Sequence, residues 1–88
     1  MKLYRIYTED KNRKGIHAVL NRAFRSYTLL SGVGVWLGSC ERSLIVEVIA
    51  KSGFYPDGFI DDVCRDIKKL NNQQAVLVTV SEIESKLI

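Results

Sequence analysis

The chain of 88 residues contains one proline, one tryptophan, one histidine and two cysteines. So little proline, beside six glycines, excludes collagen-like and linker-like sequence. With 47% apolar and 26% charged residues the chain can bury a core, which excludes intrinsic disorder. Its longest apolar run falls well short of the roughly 20 residues that a membrane span needs. Cys40 and Cys64 make neither a CxxC pair nor a zinc spacing, and an iron–sulfur cluster wants more thiolates, so both are read as reduced thiols. Met1-Lys2-Leu3-Tyr4-Arg5 carries no hydrophobic secretion-signal segment, so the expected location is cytoplasmic. A net charge of +3 is too small to make nucleic acid the default partner. A chain this short has room for a single core. The expectation is one domain, 1–88, with 81–88 a short turn or tail, burying only about 60–65% of its unfolded surface.

What is present is alternation. Lys2–Thr8 alternates and is rich in Tyr and Ile, which predicts a strand. Ile16, Val19, Leu20, Ala23 and Phe24 recur at helical spacing and predict a helix over Arg13–Arg25, capped by Asn12 or Asp10. Ser26–Leu37 and Arg42–Lys51 read as a hairpin turning through Gly38-Ser39-Cys40-Glu41. Ile60, Val63, Ile67 and Leu70 form the apolar stripe of a second helix, Asp57–Leu70, with Asp57 as N-cap and Asn71-Asn72 ending it in a left-handed turn. Gln74–Val80 is the last strand, and Ser81-Glu82-Ile83-Glu84 has the form of a capping box. The order β-α-β-β-α-β, two right-handed crossovers split by a hairpin, defines an α+β ferredoxin-like sandwich. A four-stranded antiparallel sheet then has both helices on one face and its first and third strands in the centre.

That arrangement leaves one sheet face uncovered, and the sequence does not make it polar. Leu44, Val46, Val48 and Ala50 form one face of the third strand, and Ile45, Glu47, Ile49 and Lys51 the other. In the second strand Leu30, Gly32, Gly34 and Trp36 oppose Tyr27, Leu29, Val33, Val35 and Leu37. Strands apolar on both sides are normally covered on both sides. Leu30, Trp36, Ile45 and Ile49 are therefore the expected interface with further copies of the chain, as a dimer or trimer. Burying four such side chains is worth roughly 6–12 kcal/mol before association costs. Gly32 and Gly34 mark a bulge or a place where a backbone or flat ligand lies against the sheet.

Catalytic and metal chemistry is sparse. His17 has no paired base or second ligand, Cys40 beside Arg42 lacks a general base, and Cys64 borders the stripe of the second helix. Asp57, Asp61, Asp62 and Asp66 give that helix an acidic flank that Arg65 can pair with. No catalytic residue, metal site or cofactor is assigned, and the chain is read as a non-enzyme. Lys11, Arg13, Lys14, Arg22 and Arg25 make the first helix the basic end, the candidate contact for nucleic acid. The third strand lacks the aromatics of an RNA-recognition sheet, so this reading ranks behind the others.

Trp36-Leu37-Gly38, a short polar turn with Glu41, and Leu44-Ile45-Val46-Glu47-Val48-Ile49-Ala50-Lys51, followed by the second helix, resemble the central hairpin of CutA-type proteins, relatives of the PII signalling proteins. The resemblance implies a ferredoxin-like fold, assembly as trimers through the sheets and a non-enzymatic regulatory role responsive to a small ligand or a metal. Asn71-Asn72-Gln73-Gln74-Ala75-Val76 stands where that family carries His-Pro-Tyr-Glu-Val-Pro, and the cysteine and histidine it uses for metal have no counterpart. The leading expectation is thus a non-catalytic small-ligand-binding or regulatory module acting as a homo-oligomer. Its ligand, a nucleotide or other anion, would lie between subunits near Arg5, Gly32, Gly34, Arg42 and Lys51. The alternatives are a small inhibitor, of viral or mobile-element type, that occludes a protein target, and nucleic-acid binding through the basic helix. No membrane partner is expected.

Overall fold

The computed structural model describes residues 1–88. Its elements run β1 (Lys2–Glu9), α1 (Arg13–Ala23), β2 (Thr28–Trp36), β3 (Ser39–Ala50), α2 (Phe59–Asn71) and β4 (Leu77–Glu82). The strands form one antiparallel sheet in the order β2-β3-β1-β4. The fold is therefore the ferredoxin-like βαββαβ sandwich, with β1 and β3 central. No helix is long and apolar enough to cross a membrane.

Alternation decides which side chains meet the helices. Tyr4, Ile6 and Thr8 of β1 and Leu44, Val46, Val48 and Ala50 of β3 are buried on one face. Ile16, Val19, Leu20 and Phe24 from the α1 region and Ile60, Val63, Cys64 and Ile67 from α2 close over them. Burying one such aliphatic side chain contributes about 1.5–3 kcal/mol. The helices cross closely at Gly15. A Cβ there would stand 2.8 Å from the Leu70 side chain, so this position keeps α1 and α2 in contact. Burial pushes the Cys64 thiol up to about 11, which keeps it protonated and inert at neutral pH.

Several boundaries differ from the sequence reading. The β2–β3 turn is only Leu37-Gly38, both at positive φ (50° and 81°), with Trp36 opposite Ser39. This is the two-residue hairpin whose twist matches its strands, so Cys40 and Glu41 lie on β3 and not in a turn. Helix α1 stops at Ala23 because Phe24 turns extended (φ −129°) to drop its ring into the core. Helix α2 starts at Phe59 after Gly58 in the left-handed region, so Asp57 is not its cap. Neither Asn12 nor Gly58 gives its helix a side-chain cap, and Asp10 accepts from Arg13 instead. Asn72 ends α2 in the left-handed conformation as expected. Leu70 is 37% exposed, and Asn71 takes the buried position at that end of the helix. Ser81 and Glu82 extend β4 opposite Leu3 and Lys2, in place of a capping box.

Candidate ligand-binding cleft

The uncovered face of the sheet carries the alternate residues. Across it run Leu3, Arg5, Tyr7 and Glu9 of β1, and Glu41, Ser43, Ile45, Glu47 and Ile49 of β3, beside Leu30, Gly32, Gly34 and Trp36 of β2 and Leu77 of β4. Leu30 pairs directly with Ile45, and Ile49 with Leu3. Leu30, Trp36 and Ile49 are 44%, 48% and 50% exposed, so the four residues expected at an interface do share one open face.

At the end of this face nearest the hairpin is a cavity of about 390 Å³. Tyr7, Ser43 and Gly34 line its floor and Trp36, Glu9, Glu41 and the segment Gln73–Leu77 its sides. The register explains the space. Gly34 lies opposite Glu41 on the open face, and a Cβ there would meet Ser43 only at an ordinary 3.5 Å. The missing side chain is therefore not demanded by packing and leaves room over the strand. Trp36 Nε1 donates to Gln74 Oε1 at 3.3 Å, a bond that ties the end of β2 to the approach to β4. Behind this wall lies a buried network. Asn71 Nδ2 donates to Thr8 Oγ1 (3.2 Å), the Glu9 carbonyl (3.2 Å) and Gln73 Oε1 (2.8 Å), and Thr8 Oγ1 donates to Gln73 Oε1 (2.6 Å). These bonds fix the exit of α2 against β1 and so set the position of Gln73–Leu77.

Two carboxylates stand together in the wall. Glu9 is held by Lys11 Nζ at 2.8 Å, which, with its contact to Glu41, keeps it below the usual carboxylate range. Glu41 shares a hydrogen bond with Glu9, and that contact, with partial desolvation and the neighbouring negative charge, raises it. The pair therefore holds a proton on Glu41 at pH values where a free glutamate has lost it.

The residues expected to bind an anion are not brought together. Arg5 donates to Glu47 Oε2 at 2.7 Å and is neutralised in mid-sheet. Arg42 pairs with Val33 in the β2–β3 ladder, one step out of phase with Gly32 and Gly34, and so projects from the opposite face. Lys51 follows β3 at its far end, and Gly34 alone of the five lines the cleft. The alternation that groups the glycines with Trp36 also sends Arg42 away from them. Among the nucleic-acid candidates, Lys11 and Arg13 are paired within the chain with Glu9 and Asp10, while Lys14, Arg22 and Arg25 are in no ion pair. Of the acidic flank of α2, Asp62 accepts from Arg65 at 2.9 Å. Half-buried His17 leaves Nε2 without a partner, and nothing in the structure gives it a role. Sequence reasoning missed Tyr7, Glu9 and Glu41 as site residues. The period of two placed only Tyr7 on a strand face; Glu9 fell past the predicted first strand and Glu41 in the predicted turn, and their convergence depends on the longer strands and the β1–β3 register of the structure.

No family model and no curated protein matches the chain. Among solved structures the fold matches that of a phage SAM lyase in its apo state, with a TM-score of 0.73 at 15% identity, covering 91% of this chain and 78% of that one. It also matches CPII, a nitrogen regulatory PII-like protein from Thiomonas intermedia K12, bound to ADP, AMP and bicarbonate. That match has a TM-score of 0.65 at 16% identity and covers 99% of this chain and 94% of that one. A second CPII structure, bound to ADP, AMP and acetate, gives 0.59 at 16% identity over 98% and 88%. The PII-like resemblance carried by the hairpin is thus present across the whole fold. These neighbours include both a regulatory protein and an enzyme, and at such identities they establish the architecture alone.

Proposed function

We propose that this protein is a homo-oligomeric module that binds an adenosine-bearing small molecule in the cleft beneath Trp36. The observation that carries this reading is the cleft's composition: aromatic Trp36 and Tyr7, a floor opened by Gly34, and a carboxylate pair at the rim. The aromatic side chains offer faces for a purine. SAM, ADP and AMP, the small molecules named with the two neighbours, share adenosine. Charge then separates them. Glu9 and Glu41 repel a phosphate and attract the sulfonium of SAM, so S-adenosylmethionine is the preferred member of the class. This departs from the anionic ligand expected from Arg5, Arg42 and Lys51, none of which lines the cleft.

A cation beside Glu41 favours its ionised form, so binding releases a proton and tightens as pH rises through the raised Glu41 value. The test is calorimetry with SAM, S-adenosylhomocysteine and AMP across mildly acid to neutral pH. The expected order is SAM, then the neutral thioether, then AMP, with the SAM preference lost in Glu41→Gln. No heat with any of the three would overturn the adenosine reading. AMP binding tighter than SAM would leave adenosine standing and overturn the charge argument.

A second reading, that the module turns its ligand over, is favoured by the Glu9–Glu41 pair. Two carboxylates pushed apart in proton affinity form an acid–base arrangement. Chromatography of SAM incubated with the protein tests it. Product that appears with the wild type and not with Glu41→Gln supports catalysis, and unchanged SAM supports binding alone.

Self-association is proposed through the open face, where Leu30, Ile49 and Leu77 are exposed beside half-buried Ile45. Light scattering coupled to size exclusion should give a multiple of 10.0 kDa for the wild type and a smaller particle for Leu30→Asp. A wild-type particle of one chain's mass at micromolar concentration would remove this part of the proposal.

A further inference from the structure

The basic residues of the first helix do not act as one surface. Lys11 and Arg13 are spent on Glu9 and Asp10 at its start. At its end, the last turn of α1 and the extended segment after it carry Arg22 and Arg25 to Lys51, just past β3. These three exposed cations line a cavity of about 970 Å³ together with Phe54, Tyr55, Asn21 and Ser26. None of the three is in an ion pair, and no carboxylate lines the cavity. Phe54 is 67% exposed, held edge-on to Tyr55 with ring centroids 4.9 Å apart. The Lys51 carbonyl accepts from Phe54 N–H at 3.0 Å, so the ring and the ammonium belong to one tight turn.

The helix dipole accounts for Arg22 and Arg25 at a C-terminus. It does not account for Lys51 on another element, nor for an aromatic ring left in water beside three like charges. One kind of ligand relieves both, a planar ring attached to a phosphate. We infer that the cleft formed by Arg22, Arg25, Lys51 and Phe54 is a nucleotide site, its cations taking the phosphate and Phe54 stacking the base. The nucleotide is either free or a unit of a single strand, since the two present the same chemistry. The site is separate from the cleft beneath Trp36 and stands or falls independently of it.

The experiment uses the full chain and fluorescence anisotropy with a labelled ten-residue oligothymidylate, competed by ADP. Binding should weaken with salt at a log–log slope of about two, as expected for three phosphate contacts on a single strand. Arg22→Glu and Lys51→Glu should each cost roughly tenfold or more, and Phe54→Ala roughly five-fold or more. Lys69→Glu, an exposed charge reversal on α2, should change binding less than about twofold. Unchanged melting temperatures, and retained binding by Arg22→Lys, separate loss of the site from loss of the fold. Displacement of the strand by ADP identifies a free-nucleotide site, and strand binding that resists ADP identifies a single-strand site. The inference is overturned if neither probe binds at low salt, if Lys69→Glu costs as much as Arg22→Glu, or if only vesicles of anionic lipid bind.

Discussion

At the hairpin end of β3, Glu41 meets Glu9 beneath Trp36, and a single lysine offsets the pair. At the other end, Lys51 joins Arg22 and Arg25 around Phe54 with no acid among them. The Cα positions of Glu41 and Lys51 are ten residues apart along one extended strand, or roughly 30 Å. Each cleft combines an aromatic ring with charge of one sign, and the signs are opposite. A chain of small net charge can therefore carry two strongly different local fields. The average of +3 hides both. The two ends also differ in construction. The acidic cleft is walled by a buried hydrogen-bond network through Asn71, whereas the basic cleft is built from exposed side chains at the ends of elements.

The largest separation of the two ends should come from Gly34→Leu. Its side chain fills the floor under Trp36 without backbone strain, so SAM affinity should fall by tenfold or more while oligothymidylate binding at the other end is unchanged. Equal loss of both ligands in this folded variant would mean one shared site. Next in size is Asn71→Leu, which strips Thr8, Gln73 and the Glu9 carbonyl of a buried donor. It should cost about 1–3 kcal/mol in chemical denaturation and loosen the acidic cleft first. A smaller effect is electrostatic. Because the folded protein holds the Glu41 proton more tightly than the unfolded chain does, this group's contribution to stability is present in acid and lost as pH rises through its raised value. Glu41→Gln should therefore be relatively more stable than wild type at neutral pH and lose that advantage in acid, as read by melting temperature. Smallest is Arg5→Ala in mid-sheet. The pair with Glu47 is exposed and screened by solvent, so its loss should leave the melting temperature nearly unchanged and both clefts as they are.

Local spacing carried most of the architecture. The stripe Ile16, Val19, Leu20, Phe24 and the alternation Leu44, Val46, Val48 identify the buried faces because side-chain direction follows from periods of 3.6 and 2. The hairpin was harder, because Gly38-Ser39-Cys40-Glu41 has turn-like composition while the actual reversal places Leu37 at positive φ. The final strand was also displaced. Gln74–Val76 alternates acceptably, yet Gln73 is bound to Asn71 and Thr8, which delays pairing with β1 until Leu77. The residues of the candidate clefts were least legible. Arg5, Arg42 and Lys51 are basic and lie near one another in the order of strands, but pleat and register send them to a mid-sheet ion pair, the helix side and the far end.

The sequence by itself determined the order of the elements, the face each strand buries and the shortage of cover over Leu30, Trp36, Ile45 and Ile49. These depend only on periodicity along the chain. The tertiary structure alone decided that Glu9 meets Glu41, that Arg22 and Arg25 meet Lys51, and that Lys11 and Arg13 are already paired. Such meetings join residues dozens of positions apart, and their distances are fixed by strand register, sheet twist and helix termini, which no local spacing encodes.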